Sequence, residues 1–216
     1  MPSKVSEEKE LLSCPFYISW KKRLIKNGCK ILKSHTLGKV QIKNGFILRR
    51  LISVDFISPD NIKFSRNILL KDDGVVIIPF YYINSSINFV VVEQRRIIDG
   101  GNSYEFPSGG VIEGIGKSQS AVIELEEETG IKIDKSRLEK LADDILVCES
   151  SMSEIVTCYC VELNPEEIPK SDYNFGVVAE NERTKVTFMS LVEIQRINSF
   201  HMFSALEILR RNGKLK

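Results

Sequence analysis

Apolar and polar positions change rhythm several times along the chain. Over residues 15–28 (PFYISWKKRLIKNG) the apolar residues are spaced for a short amphipathic helix, started by Pro15 and ended near Gly28. The rhythm then shortens. Val40 to Ile42, Phe46 to Ile57 and Ile62 to Leu70 alternate or cluster β-branched residues between turn signals such as Asn44-Gly45 and Ser58-Pro59-Asp60, which predicts strands. Two apolar runs follow Asp73-Gly74, at Val75 to Ile83 and Ile87 to Glu93. Joined by Asn84-Ser85-Ser86, they read as a hairpin of buried strands.

Beyond Arg96 the pattern changes again. Gly100-Gly101 and Pro107-Ser108-Gly109-Gly110 mark loops, and Ser118 to Thr129 has helical spacing, with Ala121, Val122 and Leu125 turned to a core. Gly130 is placed as the left-handed residue that stops this helix. Asp144 to Cys148, Ile155 to Leu163 and Lys185 to Met189 are further strands. A C-terminal helical segment begins near Leu191 and resumes from His201 to Arg211. Strands on both sides of an interior helix predict a mixed α/β (α+β) sandwich rather than a parallel, doubly wound sheet.

Composition narrows the partners. A chain of 216 residues, 43% hydrophobic, can bury one substantial core with an appended arm. Thirty basic residues balance twenty-nine acidic ones, which argues against a nucleic-acid partner. The charged N-terminus lacks the apolar core of a secretory signal, and the longest apolar stretch, residues 74–83, is broken by Pro79 and too short for a bilayer. A soluble cytoplasmic protein with no membrane partner is the expectation. Cys158 and Cys160 share one face of a strand, but no second Cys/His pair completes a zinc site, so buried reduced thiols are expected.

The chemistry concentrates at Glu124, Glu127 and Glu128, whose i, i+3, i+4 spacing puts three carboxylates on one side of the helix. Such charges repel. A solvated acidic face is the default for a Glu-rich helix, whereas a hard divalent cation, Mg²⁺ or Mn²⁺, would turn the repulsion into a binding site.

The surrounding segment decides between them. Gly109 to Ile131, GGVIEGIGKSQSAVIELEEETGI, resembles the Nudix box of a loop–helix–loop hydrolase family, meeting its pattern at Gly109, Glu124, Leu125, Glu127, Glu128, Gly130 and Ile131. Ile115 and Ile123 stand where the family has Glu and Arg. Those residues pair in the family, so the joint change exchanges an ion pair for an apolar contact. The resemblance implies a Nudix-type α/β/α sandwich with a mixed sheet. It also implies metal ligation by Glu124, Glu127, Glu128 and the Ser108 carbonyl, and metal-assisted attack of water on a diphosphate linkage.

Shorter motifs are similar to the ADP-ribose and ADP-sugar diphosphatase branch, and closest in look to plant ADP-sugar diphosphatases. They are Glu93-Gln94-Arg95-Arg96, Tyr104-Glu105-Phe106-Pro107-Ser108-Gly109, Ser153-Glu154, and the loop around Glu180. By that resemblance Arg96, Glu105 and Glu154 bind substrate, and Glu128, Glu127 and Glu180 are catalytic. The implied domains are an N-terminal helix and β-rich extension at 1–70, which would build a homodimer, and a Nudix domain at 71–216. The substrate expected is a nucleoside diphosphate sugar of the ADP-ribose or ADP-glucose type. A UDP-glucose diphosphatase, or a Nudix-fold module that binds nucleotide without cleaving it, is the alternative.

Overall fold

The computed structural model describes residues 10–41, 47–96, 100–169, 174–175 and 184–215. The chain divides into two compact units. One runs to Asp73 and also takes in Leu146–Ile155; the other comprises Gly74–Ile145 and Val156–Lys216.

In the N-terminal unit, helix α1 spans Pro15–Lys26, where Pro15 occupies a first-turn position that needs no N–H partner. Gly28, at φ +81°, turns the chain out of it. Strands β1 (Lys30–Gln41), β2 (Ile47–Ile57) and β3 (Lys63–Leu70) form an antiparallel meander in that order. Ile42, Phe46 and the Asn44-Gly45 turn signal lie outside the described residues. Strand β1 begins well before Val40, the start of the run read from the sequence. Register shifts at Leu32 and Leu37 explain the difference, because each extra residue reverses which side of the strand the next side chains take. Phe16, Tyr17 and Trp20 of α1 pack on Ile52, Val54 and Leu70, one face of the meander. Leu69 donates to the Ser151 carbonyl (2.8 Å) and accepts from Ser153 N–H (3.0 Å), which ties the later segment to β3.

The second unit contains β4 (Gly74–Ile83), β5 (Ser86–Arg95), β6 (Asn102–Glu105), β7 (Ser108–Gly110), α2 (Lys117–Thr129), β8 (Glu139–Leu146), β9 (Ile155–Glu162), β10 (Asn174–Phe175), β11 (Thr184–Ser190), α3 (Leu191–Ile194) and α4 (Phe200–Arg211). The predicted hairpin forms as β4–β5, and its turn residues Asn84 and Ser85 adopt φ of +48° and +66°. The sheet runs β10-β11-β5-β4-β9-β8, with β6 beside β5 and β7 beside β4. Strands β4 and β9 are parallel, whereas β4–β5 and β5–β11 are antiparallel, so the sheet is mixed. Strand β8 starts at Glu139, earlier than the predicted Asp144, because its first residues are too polar to carry an apolar signal.

Alternation across the sheet makes two cores. Val75, Ile77, Val90, Tyr159, Val161 and Val186 pack with Ala121 and Leu125 of α2. Ile78, Phe80, Phe89, Val91, Cys158 and Cys160 pack with Met202, Ala205, Leu206 and Leu209 of α4. Helices therefore cover both faces, and the α+β sandwich predicted from the sequence is the architecture observed. Cys158 and Cys160 are free thiols on the α4 side, and burial raises them to about 12 and about 11. Among the described residues, no helix is long and apolar enough to cross a membrane.

Candidate active site

Helix α2 forms because Ala121 and Leu125 bury one stripe against the sheet, with Val122 buried beside them in sequence. Gly130, left-handed at φ +71°, ends it and donates to the Glu126 carbonyl at 2.8 Å. The glutamates crowd the final turns, where the helix dipole is negative, and no basic residue lies in the last turn. Carboxylates there are disfavoured by roughly 0.3–1 kcal/mol each. Lys132 pairs with Glu126 (3.0 Å), a glutamate outside the predicted trio.

The trio occupies three different environments. Glu128 is 3% exposed, and its Oε1 accepts from Gln94 Nε2 (3.3 Å) while its Oε2 accepts from the Ser108 backbone N–H (2.8 Å). Glu124 is half-buried and lies against Gly109, where a Cβ would come within 2.0 Å of its carboxyl carbon. The glycine is thus required by close approach of the chain to a carboxylate. Glu127 is exposed. Glu128 and Glu124 consequently meet adjacent residues of β7, Ser108 and Gly109. Among the described residues, no three His, Cys, Asp or Glu side chains are grouped as a metal ion would need.

Ser108 is placed by β-sheet register. Val76 and Ser108 are opposed, and Ile77 N–H bonds to the Pro107 carbonyl (2.9 Å), which makes 76/108 the non-hydrogen-bonded pair. The N–H and C=O of Ser108 therefore turn away from β4.

Arg96 and Glu105 come together as a bidentate pair, with Arg96 Nε donating to Glu105 Oε1 at 2.8 Å and a terminal nitrogen to Oε2. Burial pushes the Glu105 carboxyl up, but the hydrogen bonds and charge of Arg96, helped by Ser103 and His201, outweigh it and hold it below the usual range. Glu105 opposes Val92, which puts it on the α2 side of the sheet. Glu154, in the N-terminal unit, is buried and paired with Lys71 at 2.6 Å. Glu180 lies outside the described residues.

Ile115, expected in an apolar contact, is 43% exposed. Ser120 braces the loop. Fully buried, its hydroxyl accepts from Ile112 N–H (2.9 Å) and donates to the Gly116 carbonyl (2.9 Å). Sequence reasoning missed Ser120, since one hydroxyl in a helical run carries no periodic signal. It also missed Thr184, whose Oγ1 donates to the Glu128 carbonyl at 3.0 Å, and the contact of Gln94 with Glu128.

Comparisons with known proteins add a likeness of fold. No family model matches the chain, and no curated protein matches it in sequence. Among solved structures, one described as "Crystal structure of ADP compounds hydrolase" superimposes with a TM-score of 0.60 at 16% identity, over 87% of this chain and 97% of its own. At that identity the likeness concerns the fold, and it extends over nearly the whole length of an ADP compounds hydrolase.

Proposed function

We propose that this chain is a divalent-cation-dependent hydrolase that splits the diphosphate linkage of a nucleoside diphosphate sugar, of the ADP-ribose or ADP-glucose type, into a nucleoside monophosphate and a sugar phosphate. The observation that carries this reading is the convergence of Glu124 and Glu128 on Ser108–Gly109, at the end of a helix whose dipole disfavours them. A divalent cation there would offset the charge of both carboxylates.

The donors suit Mg²⁺ or Mn²⁺. Glu124 and Glu128 supply hard carboxylate oxygens, and the Ser108 carbonyl, turned away from β4, supplies a third. Such an ion, when bound, neutralises phosphate oxygens and acidifies water. Glu105 orients the Arg96 guanidinium toward a role on the anionic substrate. Glu127, exposed beside buried Glu128, can take the proton of the attacking water; Glu180 is the alternative base. Water oxygen bonds to phosphorus as the bridging P–O bond breaks, and the bridging oxygen leaves on the other phosphate.

A binding-only module is the second reading, favoured by the exposure of Glu127 and by the absence of a three-carboxylate group among the described residues. A panel of ADP-ribose, ADP-glucose and UDP-glucose, assayed with Mg²⁺ and with Mn²⁺, separates the two. Monophosphate release that falls at least ~100-fold in Glu128→Gln is expected. Nucleotide binding without release would establish the module, and undiminished turnover by Glu128→Gln would overturn the site.

A further inference from the structure

We infer that Glu10 is a latch within the N-terminal unit: its carboxylate, seated on the buried Arg50 guanidinium, holds residues 10–14 against the meander and keeps the Cys14 thiol covered. Arg50 alternates along β2 with Ile52 and Val54, on the face that α1 packs against, and is 1% exposed. An arginine there is costly to bury unless its charge is met. Strand register adds to the cost, because Lys39 of β1 lies directly opposite Arg50, cation against cation. On its other side Arg50 faces Leu70 of β3, which offers no charge.

One carboxylate answers both cations. Glu10 accepts from Arg50 Nη2 at 3.1 Å and from Lys39 Nζ, while Arg50 Nη1 donates to Thr36 Oγ1 at 3.1 Å. Arg50 Nε, also buried, has no acceptor among the described residues. The Lys39 hydrogen bond, and behind it the charge and hydrogen bond of Arg50, outweigh burial and hold the Glu10 carboxyl below its ordinary range, so it stays ionised. The partners are unequally placed, since the Glu10 side chain is 39% exposed and that of Arg50 is 1%. Removing the acid therefore strands a cation in the core, whereas removing the cation leaves an acid that water and Lys39 still serve. Residues 10–12 are helical, and Leu11 and Cys14 pack in the same cluster as Phe16 and Trp20. Helix α1 has its own tie to β1, Tyr17 to Ser34 at 2.8 Å, so release of Glu10 frees residues 10–14 without undoing α1.

The test is the rate at which a maleimide modifies Cys14 in the full chain, read by peptide mass spectrometry, with a thermal melt of each variant. Cys29, partly exposed, and Cys158, buried in the second unit, serve as references. Glu10→Gln is expected to raise the Cys14 rate at least ~10-fold while Cys29 and Cys158 keep their wild-type rates. Arg50→Met, which keeps bulk and removes the charge, should stay within about threefold of wild type, and so should Glu10→Gln/Arg50→Met. A wild-type Cys14 rate in Glu10→Gln overturns the latch. So does a rise in Arg50→Met as large as in Glu10→Gln, since packing rather than charge would then hold the segment. If Glu10→Gln does not fold, the double variant decides: a folded protein with slow Cys14 labelling supports the latch, and any other result overturns it.

Discussion

Two carboxylates in the second unit are both held by several hydrogen bonds, yet they differ in what holds them. Asp143 on β8 accepts from Lys117 Nζ (2.6 Å), Lys140 Nζ (3.0 Å), Thr157 Oγ1 and the Asp144 N–H (3.1 Å). The Lys117 and Thr157 bonds, against a small opposing effect of burial, keep its carboxyl far below the usual range. Glu128 accepts from the Gln94 side chain and the Ser108 backbone, both amides. A lysine beside a carboxylate offsets its charge, whereas an amide orients it and adds no charge of its own. The first arrangement ties a strand to a helix, and the second ties the same helix to β5 and β7.

The contrast breaks first at Gly109. In Gly109→Ala the new Cβ would meet the Glu124 carboxylate at 2.0 Å, the far end of a flexible side chain, so the fold should survive while the carboxylate moves. Hydrolysis is expected to fall on the order of 100-fold with little change in melting temperature, read by steady-state kinetics beside a thermal melt. Equal activity would remove Glu124 from the site.

Ser120→Ala comes next. It leaves the Ile112 N–H and the Gly116 carbonyl without their hydroxyl partner, at about 1–3 kcal/mol of stability measured by urea unfolding. Thr184→Val removes one bond to the Glu128 carbonyl and should cost about 1 kcal/mol in the same measurement.

The smallest effect lies at the lysine-held carboxylate. A depressed pKa contributes stability that is present above the unfolded carboxylate value, about 3.9, and is lost as pH falls through the folded one. Asp143→Asn should therefore melt below wild type at pH 7, and the gap should narrow below pH ~4. Exposed pairs of this kind are worth about 0–1 kcal/mol, and a gap that stays constant with pH would contradict the assignment.

Much of this was legible where signals are local. Asn84-Ser85 between two apolar runs named the hairpin, and Gly130 after a helical stripe named the end of α2. Legibility failed where the determinant is distant or breaks a period. Two bulges in β1 scramble its alternation, and Gln94 meets Glu128 only once β5 lies beside α2. The Glu154–Lys71 pair was likewise not visible as spacing, since Lys71 comes from the chain just after β3. For the trio the spacing puts three glutamates on one side of α2, yet spacing on a helix says nothing of depth. Glu128 is buried with its carboxylate on the Ser108 N–H of β7, while its neighbour Glu127 is exposed.

The segment Leu146–Ile155 bears on how the protein emerges from the ribosome. The N-terminal unit is the first to be synthesised, yet its β3 edge takes the hydrogen bonds of Ser151 and Ser153, which follow only after β4 to β8 have been made. At ordinary elongation rates that is a wait of several seconds. Until then the Leu69 N–H and carbonyl lack their eventual partners, so the unit begun first waits on a segment that is made only after much of the other.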